Sequence, residues 1–199
     1  LTDVYMSTAN LPLTYSIEND GTGAATSMQH ICSTVISEGG RQAIGLVQAV
    51  SNDTTEVTAT NADTYYALKG VQLKTTHLGD TLVPETVNVA ITSSGVFEWQ
   101  LRVNPTVTGT FTYSDVTNAG FQEATGAGAT VTGGTIIAQG YGASAGTGGS
   151  AAGTTGAELN NALLIGSAID GTRDQLVLCV ASTTAGETFL GGMTLRQLS

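Results

Sequence analysis

The chain has 199 residues and a formal net charge of −10, with 41% hydrophobic and only 11% charged residues. Its six basic residues, Arg41, Lys69, Lys74, Arg102, Arg173 and Arg196, are scattered, which argues against a phosphate-tracking surface and a nucleic-acid partner. The apolar runs are short and interrupted, so no transmembrane helix and no membrane insertion are expected. Ample apolar content at low charge also argues against disorder.

Thr, Val, Gly and Ala are plentiful and good surface-helix residues are scarce, so strands are expected almost everywhere. The opening LTDVYMSTANLPL lacks a basic start and a continuous apolar core, unlike a signal peptide. With no initiating Met, a fragment of a longer protein is expected. In chain order the candidate strands are 13–17, 29–37, 44–50, 56–60, 65–74, 85–92, 96–103, 106–113, 135–140, 162–165, 175–182 and 188–196. Within VFEWQLRV, Phe97, Trp99, Leu101 and Val103 share one face, with Glu98, Gln100 and Arg102 on the other. Asn104-Pro105 predicts a hairpin between this strand and 106–113. Gly191-Gly192 predicts a bulge or a close backbone approach in the last strand.

Helix is expected at most as a turn near 27–29 or 161–164. Residues 126–132 and 139–157 are Gly-rich and weakly patterned, which suggests exposed loops or segments that order against a neighbouring subunit. Short strands separated by turn residues predict an all-β fold: an antiparallel β-sandwich, jelly-roll-like, with long Gly-rich loops and little helix. One domain over 1–199 is expected. The alternative makes 1–51 the end of an upstream sheet or a linker and 64–199 the main sandwich.

Chemistry is sparse. Cys32 and Cys179 lie in strand-like runs and are expected as buried free thiols, with a long-range disulfide as the alternative. His77 and Asp80 are close in sequence, but no Gly-x-Ser-x-Gly elbow accompanies them. Glu18, Glu38, Glu85, Glu98, Glu123, Glu158 and Glu187 fall at strand ends or on polar faces, where solvated carboxylates are the simpler reading than a glycosidase pair. No catalytic residue, cofactor or metal site is expected. Calcium held by the turn residues Asp20, Asp53, Asp63, Asp80 and Asp170 is the one cofactor considered. Phe97 and Trp99 are expected in the core. The binding candidates are Tyr65, Tyr66 and Tyr141: adjacent tyrosines in a strand face opposite ways, so one of the first two should point outward, where a phenol suits an interface or glycan contact. Loop tips around 52–64 and 140–156 are the expected place for a ligand.

The segment LPLTYSIENDGTGAATSMQHICSTVISEGG at 11–40 reads as strand, polar loop, strand and stop. It resembles the C-terminal region of virion structural proteins of tailed phages of the marine and cyanobacterial type, a family of fibre, spike and surface proteins. There a Leu-Pro-apolar-x-Tyr-x-Ile-x-Asn run precedes a Gln-Ile-Cys-Ser-Thr-Val-x-Ser-Glu-Gly-Gly run. The resemblance implies a non-enzymatic subunit on the virion surface, a fibre, spike or capsid decoration. Expected partners are copies of itself, as a homotrimer, other virion proteins, and a host surface glycan or receptor in host attachment. Independently, long Thr-rich strands without charged edge residues suit a protein whose edges are covered in an assembly.

Overall fold

A computed structural model describes residues 45–144 and 164–198, together with the backbone of Ser150–Ala151. The expectations for 13–17, 29–37, Cys32, Asp20, Glu18, Glu38 and Glu158 lie outside the described residues. The described part is all strand and turn: β1 Leu46–Ser51, β2 Val57–Ala59, β3 Tyr66–Leu73, β4 Thr81–Ile91, β5 Gly95–Val103, β6 Thr106–Thr108, β7 Ser114–Asp115, β8 Phe121–Thr125, β9 Thr130–Thr132, β10 Thr135–Ser144, β11 Ser150–Ala151, β12 Gln175–Ser182 and β13 Glu187–Leu198. Two antiparallel sheets form a β-sandwich. The first runs β1-β13-β4-β11, with β2 pairing β13 beyond β1. The second runs β10-β5-β12-β3-β8-β7, with β9 bridging β3 and pairing β6.

A folded ribbon joins the sheets. β4 pairs β13 in the first sheet and β5 pairs β12 in the second. The links β4–β5 and β12–β13 therefore cross between sheets side by side. Backbone bonds from Thr92 N to Thr188 O (2.9 Å) and from Thr183 N to Val96 O (3.1 Å) hold the corner. Glu187, buried at the corner, accepts from the Ser93 hydroxyl.

Alternation places Phe97, Trp99 and Leu101 of β5, Leu176, Leu178 and Val180 of β12, and Phe189, Met193 and Leu195 of β13 in one core between the sheets. Phe97 and Phe189 meet edge to face at 5.2 Å between ring centres. Burying each such side chain stabilises the fold by about 1.5–3 kcal/mol. Gly191 is where the sheets approach most tightly in β13: an added Cβ would lie 2.7 Å from Leu68 Cδ1 and 3.2 Å from Leu178 Cδ2. The Gly-Gly pair therefore marks a close approach, and the register shift along β13 lies further on, at Thr194/Leu195, where the extra residue is Glu85 of the facing strand β4. Pro84 lies beside the shift, opposite Leu195; like Leu82, which bonds Ile165 on the side away from β13, it turns its nitrogen away from that ladder, so its missing N–H removes no bond to β13. β4 continues through the proline and starts at Thr81, earlier than its alternation suggests.

The predicted hairpin at Asn104-Pro105 is not formed. β5 pairs β10 and β12, whereas β6 pairs β9. Asn104 adopts φ 50° and ties itself instead to β12, donating its N–H to Gln175 O and accepting Gln175 N–H on Oδ1, both at 2.8 Å. Parts of 106–113 and 129–132 lie over the outer face of the second sheet. There Ala67, Val177 and Cys179 pack with Ala129 and Val131 under Tyr65, Val107 and Phe111. This cover explains why β3 is buried along its whole length and β12 nearly so.

The 51–64 stretch is itself built into the first sheet, since β1, which ends at Ser51, and β2 within the stretch both pair β13. Asn52 joins them. Its Nδ2 donates to Thr55 O (2.8 Å) and Phe189 O (3.2 Å), and its Oδ1 accepts Gly191 N–H at 2.7 Å.

Candidate functional site

Residues 61–66 turn the chain into β3, with Asp63 in the left-handed region at φ 55° and its N–H donated to Ser182 O at 2.8 Å. The two tyrosines that follow face opposite ways. Tyr66 points into the core and is 1% exposed, its hydroxyl held by Thr60 Oγ1 (2.7 Å), Asn61 N (3.0 Å) and Asn61 Nδ2 (3.1 Å). Burial and these three partners remove it from the binding candidates. Tyr65 lies on the outer face, half-buried.

Tyr65 heads a polar ladder on β5. Its hydroxyl donates to Glu98 Oε2 at 2.7 Å and accepts from Gln100 Nε2 at 2.8 Å. Gln100 also donates to Glu98 Oε1 (2.7 Å), and Arg102 Nε donates to Gln100 Oε1 (2.8 Å). The Arg102 guanidinium stacks 4.4 Å above the Tyr65 ring. Burial and the Glu98 carboxylate push the Tyr65 phenol up to about 12. Gln100 and Arg102, the expected solvent face of β5, are instead 5% and 8% exposed, on a face that the outer layer partly covers. Cys179 donates from this same layer to Gln100 O and is a buried free thiol whose pKa burial raises to about 12.

Beyond Tyr65 the outer layer stops and the sheet face is bare. A groove of about 250 Å³ opens there, lined by Asp63, Tyr65, Val96, Glu98, Tyr141 and Thr183. Tyr141 of β10 stands directly opposite Glu98 of β5 in the register. It is 71% exposed, and Val96 is 50% exposed. Two of the three tyrosine candidates, Tyr65 and Tyr141, therefore line one groove. Residues 140–144, expected within a loop tip, are strand. A second hollow of about 220 Å³ near Asn52 and Gly191 has no aromatic lining.

The remaining chemical candidates are dispersed. His77 Nδ1 bonds Thr76 Oγ1 at 2.9 Å, whereas the Asp80 carboxylate accepts from Gln197 Nε2 at 2.6 Å. Glu85 pairs with Arg196, Glu123 with Lys69, and Glu187 with Ser93. Asp53 accepts from Ser51 Oγ, and Asp170 accepts the Thr172 N–H, which holds its carboxyl below the usual range. No group of three His, Cys, Asp or Glu side chains among the described residues is placed to hold a metal ion. Phe97 and Trp99, at 1% and 3% exposure, are core residues. Compared with known proteins, the chain matches no family model, no curated protein and no solved structure.

Proposed function

We propose that this chain is a non-catalytic virion structural protein of a tailed phage, a surface-exposed fibre, spike or decoration subunit that works by homo-oligomeric assembly, as a trimer. The observation that carries the assembly is β10. This strand, TIIAQGYGAS, closes one side of the second sheet with ten residues and no charge or proline. Among the described residues its one hydrogen-bonded neighbour is β5. Soluble sheets guard such edges with charge, proline or bulges, because open N–H and C=O groups recruit other strands; β10 has one irregularity near its start, at Ile137, and from Ala138 to Ser144 it runs in unbroken register with β5. β1, LVQAVS, likewise carries no charge and leaves Leu46 and Val47 nearly half exposed. The resemblance at 11–40 supplies the phage setting.

Size-exclusion chromatography with light scattering tests the assembly. The wild type is expected as an oligomer, and the Thr135→Lys/Gln139→Lys double variant as a monomer with stability changed by no more than about 0.5 kcal/mol. A wild type that is monomeric at micromolar concentration overturns the assembly reading. Antibody labelling of intact particles tests the location. The groove beside Tyr141 favours a second, compatible reading, a module that binds a host glycan or receptor. Its side chains stand perpendicular to the sheet, whereas strand pairing would extend the sheet in its own plane.

A further inference from the structure

We propose that the groove between Tyr65 and Tyr141 binds one neutral sugar ring of a glycan, stacked on Tyr141 with its hydroxyls donating to Glu98 and Asp63. This deepens the binding reading and does not depend on the assembly reading.

Tyr141 is presented as a platform. Its sequence neighbours Gly140 and Gly142 bear no side chains, and the ring projects from a paired strand, which fixes its position. An exposed phenol offers an apolar face for sugar C–H groups and a polar tip for a hydroxyl. Val96, across the groove floor, adds an apolar surface. At about 250 Å³ the groove is below the roughly 300–1,000 Å³ typical of drug-sized ligands, which suits a single ring.

The carboxylate is held in advance. Each Glu98 oxygen already accepts one internal hydrogen bond, from Tyr65 or Gln100, and an ionised carboxylate has about four acceptor sites. Its orientation is thus fixed while acceptor capacity remains for sugar hydroxyls, which are donors. Asp63 supplies a second acceptor at the rim.

Charge decides against anionic sugars. The chain carries −10, two carboxylates line the groove, and the nearby cation, Arg102, is committed to the Tyr65 ring, Gln100 Oε1 and Gly133 O. A sialylated or sulfated sugar would meet like charge without a partner. A methylated ammonium would want a cage of free aromatic faces, but Arg102 already occupies a face of Tyr65. A neutral ring fits both constraints.

The experiment is a glycan array on the intact protein, followed by calorimetry with the best neutral oligosaccharide and with its sialylated counterpart. Binding is expected for the neutral sugar, at least several-fold tighter than for the sialylated one. Tyr141→Ala should weaken it about tenfold, Glu98→Gln several-fold, and Tyr141→Phe little. In wild-type protein the same sugar should shift the Tyr141 ring resonances in NMR, a readout that needs no variant. Absence of any neutral-sugar binding, preference for the sialylated form, competition by tetramethylammonium, or unchanged affinity in Tyr141→Ala overturns the proposal. Light scattering on the same samples separates this outcome from a failure of assembly: an oligomer that binds no sugar sinks the site alone, and a sugar-binding monomer sinks the assembly alone.

Discussion

Tyr65 links the two chemistries of the outer face, a packed aromatic cover on one side and a carboxylate-lined groove on the other. Its phenol is raised from 10.0 to about 12, by burial first and then by Glu98. A raised folded-state pKa means that the stability tied to the protonated hydroxyl is complete below pH 10 and is lost as pH rises toward about 12. Denaturant unfolding across this window should therefore show wild-type stability falling more steeply than that of Tyr65→Phe, and equal slopes would contradict the assignment. The opposite facing of Tyr65 and Tyr66 was legible in the sequence, because strand alternation is geometric. What covers each face was not. Gln100 and Arg102 read as solvent-facing residues, yet they are buried on a face that segments near 106–113 and 129–133 partly cover, and alternation carries no information about such distant cover.

At the scale of elements, sequence patterns located strands well and their partners poorly. The run 96–103 appears as β5 almost residue for residue, and Gly191-Gly192 does mark a close approach. Replacing Gly191 by Ala would set a methyl 2.7 Å from Leu68 Cδ1. The expected cost is roughly 1–3 kcal/mol for overpacking, read as a lower urea midpoint with an unchanged slope. A shift below 0.3 kcal/mol would mean that the sheets separate there without difficulty. The hairpin at Asn104-Pro105 failed because turn residues specify a reversal without naming the strand beyond it. Asn104 takes up a left-handed conformation, and the chain beyond it carries 106–108 to β9. The strands Phe121–Thr125 and Thr130–Thr132 escaped notice because they are short, FQEAT and TVT, with one large apolar residue each to mark a face.

At the scale of the whole molecule, the positive charge among the described residues is held in internal contacts. Lys69 bonds Glu123, Lys74 bonds Val116 O, Arg102 lies on Tyr65, Arg173 bonds Leu73 O and Gln122, and Arg196 pairs with Glu85. These contacts leave edges such as β10 without the lysines that ordinarily keep sheets apart, and they leave the groove acidic. The order of strands in the first sheet has a separate consequence, for synthesis. β13 lies between β1 and β4, with Leu46 opposite Gln197 and Leu82 also opposite Gln197. β1 and β4 do not pair with each other and both wait for β13, which is made after them. During translation, β1 and most of β4 therefore lack their partner strand and stay open to proteases and chaperones until residues 187–198 have cleared the ribosome. Stalled nascent chains ending before residue 187 should be cleaved readily within β1 and β4, whereas released chains should resist. Protection that develops before β13 emerges would show that another segment holds these strands in the meantime.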